Sequence, residues 1–225
     1  MILNYNELLH PLIKNALQED IGEGDHSTLS VIPSGAKGKA VLKIKEDGIL
    51  AGVDVACKII EYLEPAATFI PLKKDGDVMK TGEKAFEAEA KIHTILQAER
   101  LLLNCMQRMS GIATLTQKYV QQLNGFNTRL LDTRKTTPNF RLLEKEAVRI
   151  GGGYNHRFGL YDMIMLKDNH IDYCGSVEEA VNRVWNYVQT VKPGLKIEVE
   201  TRTLDDVEKV LATGKANRIL LDNFT

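Results

Sequence analysis

The sequence predicts an α/β protein: an N-terminal α+β domain over residues 1–109, followed by an incomplete (β/α) barrel over residues 110–225. Three observations carry that prediction. The first third holds short alternating runs broken by Asp-Gly and Thr-Gly turns, the middle holds a long stretch with few breakers, and the remainder alternates apolar strands with amphipathic helices.

Taken in order, Asn4 to Asp20 places Leu8, Leu9, Leu12, Ile13, Ala16 and Leu17 at helical spacing, and the helix should stop before Ile21-Gly22-Glu23-Gly24-Asp25. Lys39 to Gly52 alternates around Asp47-Gly48 as a strand or hairpin, and Val53 to Leu63 reads as a helix. Asp75-Gly76 and Thr81-Gly82 then punctuate short strands in which Val78 and Phe86 are expected to point inward. From His93 to Leu123 the chain predicts a long helix joining two domains, with Gly111 as a point of interruption and Leu96, Leu103, Met106 and Leu115 as its buried stripe. Beyond it, TRLLDT, DMIMLKDNH, LKIEVET and NRILLDN read as strands of a parallel sheet, separated by FRLLEKEAVRIG, SVEEAVNRVWNYVQTV and TLDDVEKVLATG as helices.

Each of these strands ends in polar or charged residues: Asp132-Thr133-Arg134-Lys135, Lys167-Asp168-Asn169-His170, Glu198-Val199-Glu200-Thr201 and Asp222-Asn223. After one strand this is ordinary loop solvation. Four in succession point to one shared pocket, because a barrel delivers all its C-terminal strand ends to one face. Four strand–helix units are also half of an eightfold barrel, and the chain ends within three residues of the fourth strand. The expectation is therefore a truncated barrel needing further C-terminal chain, a covering partner, or tolerance of reduced stability.

Composition narrows the function. With 29 Lys and Arg against 30 Asp and Glu, the net charge of -1 gives no global basic field for a nucleic-acid backbone. No apolar run approaches the roughly 18 residues that span a bilayer, and the opening MILNYNELLHPLIKNALQED lacks the flanks of a cleaved signal, so a cytoplasmic protein is expected. Cys57, Cys105 and Cys174 form no CxxC pair and are expected to be buried thiols.

Against that neutral background, Arg134, Lys135, His156, Arg157 and Lys167 form a concentration of cations suited to a small, multiply anionic ligand. Arginine forks grip carboxylates, and lysines act as point charges. Glu200 and Asp222, on neighbouring strand ends, are candidates to hold magnesium or its waters, with salt bridging to nearby cations as the plainer role. His156 and His170 lack zinc-site spacing, and Gly151-Gly152-Gly153 lacks phosphate-loop spacing and marks only a tight turn. Lys80 in DGDVMKTGE invites comparison with a cofactor-carrying hairpin lysine, but a solvated structural hairpin fits better; Asp25 and His26 read as turn or helix caps.

In this order, EDIGEGDHST, AERLLLNCMQRMSGIAT, DTRKTTP, GGGYNHRFGLYDMIMLKDNHI, IEVET and LLDNF resemble the quinolinate phosphoribosyltransferases over essentially the whole chain. The combination of TRKT, GGG followed by HR, and LKDNH is the specific part. The resemblance implies a homodimer, with Arg100 reaching the partner's site. Arg134, Lys135, His156, Arg157 and Lys167 would contact quinolinate and the phosphoribosyl group, while Glu200 and Asp222 would lie beside the ribose and magnesium pyrophosphate, directly or through water. Lys135, Lys167, Glu200 and Asp222 would be the catalytic set. The implied reaction converts quinolinate and 5-phosphoribosyl 1-pyrophosphate to nicotinate mononucleotide, pyrophosphate and carbon dioxide, a step of NAD biosynthesis. The family's glycine-containing phosphate segment should follow LLDNF and is not found before Thr225. Alternatives are a related pyrophosphorylase-like enzyme with another substrate, or a non-catalytic binding or carrier protein.

Overall fold

In the computed structural model, which describes residues 5–224, the chain divides into two compact units, residues 1–156 and 157–225. Asn4, expected to open the first helix, lies outside the described residues.

The first unit opens with α1 (Tyr5–Ile21) and α2 (His26–Val31), followed by β1 (Lys37–Lys43), β2 (Gly48–Ile49), α3 (Val53–Leu63), β3 (Thr68–Pro71), β4 (Val78–Met79) and β5 (Lys84–Lys91). It closes with α4 (Ile92–Gln122) and α5 (Arg141–Ile150). Strands pair antiparallel in the order β1-β5-β3, and β2 pairs with β4. Leu9, Ile13 and Leu17 of α1 enter one apolar core with Val55 and Ile59 of α3, Phe86 of β5, Met109 of α4 and Leu143 of α5. Burial of such side chains is the main source of cohesion, at about 1.5–3 kcal/mol each. As expected, Asp25 is a cap: its carboxylate accepts the Thr28 N–H at the start of α2.

Several expected details shift. Gly111 does not interrupt α4, which runs unbroken through it. Its buried face is Ala98, Leu102, Cys105, Met106, Met109 and Ala113, while Leu96 and Leu115 are exposed. Ala98, Cys105 and Ala113 let α3 and α5 pack closely against that face, which they share with the larger Leu102, Met106 and Met109. Phe86 is buried but Val78 of β4 is exposed, while Ile49, its register partner in β2, is buried. Of the three cysteines only Cys105 is buried.

The second unit contains β6 (Ile164–Leu166), α6 (Asp168–Cys174), α7 (Val177–Thr190), β7 (Ile197–Thr201), α8 (Leu204–Thr213) and β8 (Arg218–Leu221). Its strands are parallel, in the order β6-β7-β8. Ile164, Leu166, Ile197, Val199 and Ile219 pack with α7 and α8 residues such as Val181 and Val210 in a second core. Strand alternation then sends Met165, Glu198, Glu200, Arg218 and Leu220 to the opposite face. Ser176 and Thr203 cap α7 and α8, and Gly214 ends α8 in the left-handed conformation.

TRLLDT is the element that departs most from expectation. It forms no strand and makes a single parallel bridge, Leu131 to Tyr154. Its neighbour is the turn after α5, where Gly152 adopts φ +91 and the backbone leaves before a ladder can extend. Gly151 and Gly153 are required there by close packing. A Cβ on Gly151 would lie 2.4 Å from the Ala113 carbonyl oxygen, and one on Gly153 would lie 2.7 Å from Val148.

Candidate active site

Two loops of the first unit carry its candidate cations. The Asp132–Pro138 loop holds Arg134, which is half-buried, and Lys135, which is exposed. The Arg134 carbonyl accepts from Arg141 Nη2 at 3.3 Å, Arg141 Nε donates to Thr136 Oγ1 at 3.0 Å, and the Lys135 N–H donates to Thr133 Oγ1 at 3.0 Å. Further along, Thr137 is clamped by Glu144, whose carboxylate accepts the Thr137 N–H at 3.1 Å and hydroxyl at 2.9 Å, and Arg108 Nη2 at 2.7 Å. Burial pushes the Glu144 carboxyl up, but donation by Arg108 and Thr137 outweighs it and leaves the group below its ordinary value.

The second loop, Gly151 to His156, is held against the first by an ion pair. Asp132 and Lys145 have side chains only 7% and 3% exposed, and both contact the main chain of His156. This brings His156 and the Arg134–Lys135 loop under one set of restraints. Arg100 stands on α4 and is exposed.

In the second unit, Arg157 is buried, and its Nη1 donates to the Met163 carbonyl at 3.2 Å across the Phe158–Asp162 turn. Asp162 fixes that turn by accepting the N–H groups of Phe158 at 2.6 Å and Gly159 at 2.8 Å. Lys167 follows β6, where the sheet alternation carries it to the polar face; its Nζ lies 3.5 Å from Glu200 Oε2. His170 Nδ1 accepts the Lys167 N–H at 3.0 Å, which gives His170 a local structural task. One step along the same face, Arg218 Nη1 donates to Glu198 Oε2 at 3.0 Å. Asp222 is tied to the end of β7 through its N–H, which donates to the Thr201 carbonyl at 3.0 Å.

The structure thus joins Lys167 with Glu200 and puts Asp222 on the adjoining strand end. Arg134, Lys135 and His156 share a second pair of loops. Both glutamates of β7 are buried, Glu198 at 2% and Glu200 at 8% exposure, although a sheet face this closed is usually apolar. Glu200, buried and 3.5 Å from the Lys167 ammonium, is a candidate binding element, because the desolvation cost of a buried carboxylate is offset only by charged or donor groups brought to it.

Sequence reading missed Asn155, Lys145, Glu144, Asp162 and Arg218, and named Glu198 only as part of a charged strand end. A signal existed for two of them: in FRLLEKEAVRIG, Glu144 and Lys145 fall beside Leu143 and Ala147 on the inward face of α5, where an amphipathic helix has no use for charge.

Comparison with known proteins settles the relationship. The N-terminal domain of quinolinate phosphoribosyl transferase matches residues 25–110, and the C-terminal domain matches residues 112–225. The chain belongs to the quinolinate phosphoribosyltransferase family. It is 42% identical over 215 residues to the probable nicotinate-nucleotide pyrophosphorylase [carboxylating] of Bacillus subtilis, covering 96% of this chain and 73% of that one. To the chloroplastic nicotinate-nucleotide pyrophosphorylase [carboxylating] of Arabidopsis thaliana it is 45% identical over 222 residues, and it spans 63% of that protein's length. The crystal structure of NadC from Streptococcus pyogenes superposes with a TM-score of 0.89 at 40% identity, covering 100% of this chain and 78% of that one. No described helix is long and apolar enough to cross a membrane.

Proposed function

We propose that this chain carries out the carboxylating nicotinate-nucleotide pyrophosphorylase reaction of NAD biosynthesis, joining quinolinate to 5-phosphoribosyl 1-pyrophosphate with loss of pyrophosphate and carbon dioxide, in a cytoplasmic homodimer. The supporting observation is that both family domains match in one chain, and that the eight polar residues singled out from the sequence fall within the matched ranges.

The chemistry assigns the residues three tasks. Two substrate carboxylates must be neutralised, and Arg134, Arg157 and Arg100 of the partner subunit supply guanidinium forks for them, with Lys135, His156 and Lys167 adding positive field. The ring nitrogen must be held in line with the ribose C1, a task of orientation that a rigidly held loop serves. Pyrophosphate must be stabilised as it leaves, and Glu200 and Asp222 would hold the ribose and, directly or through water, a magnesium ion that would offset the charge of the leaving group.

Magnesium fits this donor set in one mode. Glu200 and Asp222 offer hard oxygens on neighbouring strand ends, and among the described residues no three His, Cys, Asp or Glu side chains group as a cage. That suits an ion shared with substrate phosphates rather than one held by protein alone. When bound, magnesium supplies charge neutralisation to the departing diphosphate. Forming the glycosyl bond leaves a pyridinium nitrogen, which stabilises the carbanion created when the adjacent carboxylate departs as carbon dioxide; that carbon then takes a proton, ultimately from water, to give nicotinate mononucleotide, so no covalent enzyme nucleophile is required.

Turnover tests the proposal. The chain, incubated with quinolinate, phosphoribosyl pyrophosphate and magnesium, should release nicotinate mononucleotide and carbon dioxide in equal amounts; absence of both products together with no quinolinate binding would overturn it. Sharing across the dimer has its own test, because mixing Arg100→Ala with Arg157→Ala protein should restore part of the activity lost in each.

A further inference from the structure

We infer that Asp132 and Lys145 are positioning residues: their buried ion pair fixes the main chain of His156 and thereby sets the candidate anion-binding loops. The inference rests on the functional reading above for the ligand it names, but not for the clamp itself. One carboxylate oxygen of Asp132, Oδ1, accepts both Lys145 Nζ and the His156 N–H, the latter at 2.8 Å. The same ammonium donates to the His156 carbonyl at 3.2 Å. Both main-chain polar groups of His156 are therefore held by one pair.

Asn155 completes the lock. Its Nδ2 donates to Asp132 Oδ2 at 2.9 Å and to the Lys145 carbonyl at 3.0 Å. The anchors are themselves fixed. Lys145 projects from the buried face of α5, and the Asp132 N–H donates to the Tyr154 carbonyl at 3.0 Å beside the Leu131–Tyr154 bridge.

Burial explains why a pair is needed here. An amide or hydroxyl offers a single acceptor oxygen, but this site asks one group to take Lys145 from α5 together with two donors, Asn155 and the His156 N–H, from a loop containing three consecutive glycines, which has little stiffness of its own. The pair also cancels its own charge. Lys145 is thus set apart from the neighbouring cations Arg134, Lys135 and His156: it orients a ligand site without being a ligand for the anion. Asp132, engaged by three protein donors, is set apart from Glu200 and Asp222 in the same way.

Amide hydrogen exchange and quinolinate calorimetry on the full chain, parent and Asp132→Asn, test the inference, with Lys145→Met as a second variant. In the parent, the His156 amide should exchange at least 100-fold more slowly than an unstructured amide. Asp132→Asn should lose at least tenfold of that protection, move the His156 ring signals, and weaken quinolinate binding at least tenfold while far-UV circular dichroism stays unchanged. A folded variant that binds quinolinate within twofold of the parent overturns the inference. So does a His156 amide that exchanges at the unstructured rate in the parent, a measurement that needs no variant to fold. If the parent neither binds quinolinate nor turns it over, the functional reading falls, and the clamp stands or falls on whether Asp132→Asn changes the His156 exchange rate.

Discussion

Buried charge is handled differently in the two units. In the first, Asp132 accepts from Lys145, the His156 N–H and Asn155, and Glu144 accepts from Arg108 and from both donors of Thr137. In the second, the β7 carboxylates lie on a sheet face and meet cations whose side chains are about half exposed: Arg218 at 3.0 Å from Glu198, and Lys167 at 3.5 Å from Glu200. The Lys167–Glu200 separation exceeds a good hydrogen bond. A carboxylate surrounded by protein donors is scaffold, whereas Glu200, facing Lys167 at 3.5 Å, keeps capacity for a ligand. Neither burial nor exposure of the cation distinguishes the two, since Arg108 beside Glu144 is also about half exposed, but the separation at Lys167–Glu200 does.

The largest test of this contrast is Lys145→Met, which strands Asp132 without its cation. It should cost about 3–5 kcal/mol of stability, measured by denaturant unfolding; a loss below 1 kcal/mol would show that the pair is not scaffold. Arg157→Ala should leave stability closer to the parent and act on the ligand, weakening quinolinate binding by about 2–5 kcal/mol, or roughly 30-fold to several-thousand-fold, in calorimetry. Unchanged affinity would remove Arg157 from the carboxylate site.

Glu144→Gln should cost about 1–3 kcal/mol, since both carboxylate oxygens accept from Arg108 or Thr137 and the amide replaces one of them with a donor, so at least one of those donors is left unpaired and charge assistance is lost. Its pH dependence has a definite sign. A carboxyl held below its ordinary value of 4.5 contributes stability that is fully present above that value and is lost as pH falls through the folded-state value. The gap between parent and Glu144→Gln stability should therefore narrow as pH drops below about 4.5, and a gap independent of pH would exclude this linkage. Lys80→Ala is the smallest effect: the lysine pairs with Asp47 at 2.8 Å on an exposed surface, so thermal unfolding should not move measurably.

How much of this was legible can be judged residue by residue. The parallel strands at Ile164–Leu166, Ile197–Thr201 and Arg218–Leu221 follow from apolar runs bounded by turns, and Lys167, Glu200 and Asp222 were visible as polar residues ending them. TRLLDT carried the same pattern and yet is not a strand, because a strand needs a partner and the neighbouring backbone is a glycine turn. The stripe on α4 was misread for a related reason. Periodicity finds apolar residues at the right spacing, but it does not know which neighbours approach, and the close packing of α3 and α5 selected Ala98, Cys105 and Ala113 over Leu96 and Leu115.

By itself the sequence determined the alternation of strands and helices, the cations and carboxylates available for chemistry, and, through TRKT, GGG-HR and LKDNH together, the family. These are properties of local order and composition, which a linear chain carries explicitly. Only the tertiary structure decided that Asp132 and Lys145 neutralise one another around His156, that Glu144 holds Thr137, and that Glu200 faces Lys167 at 3.5 Å. Such pairings depend on distances between segments brought together by packing. A charged residue has the same letter whether it meets solvent, substrate or a buried partner.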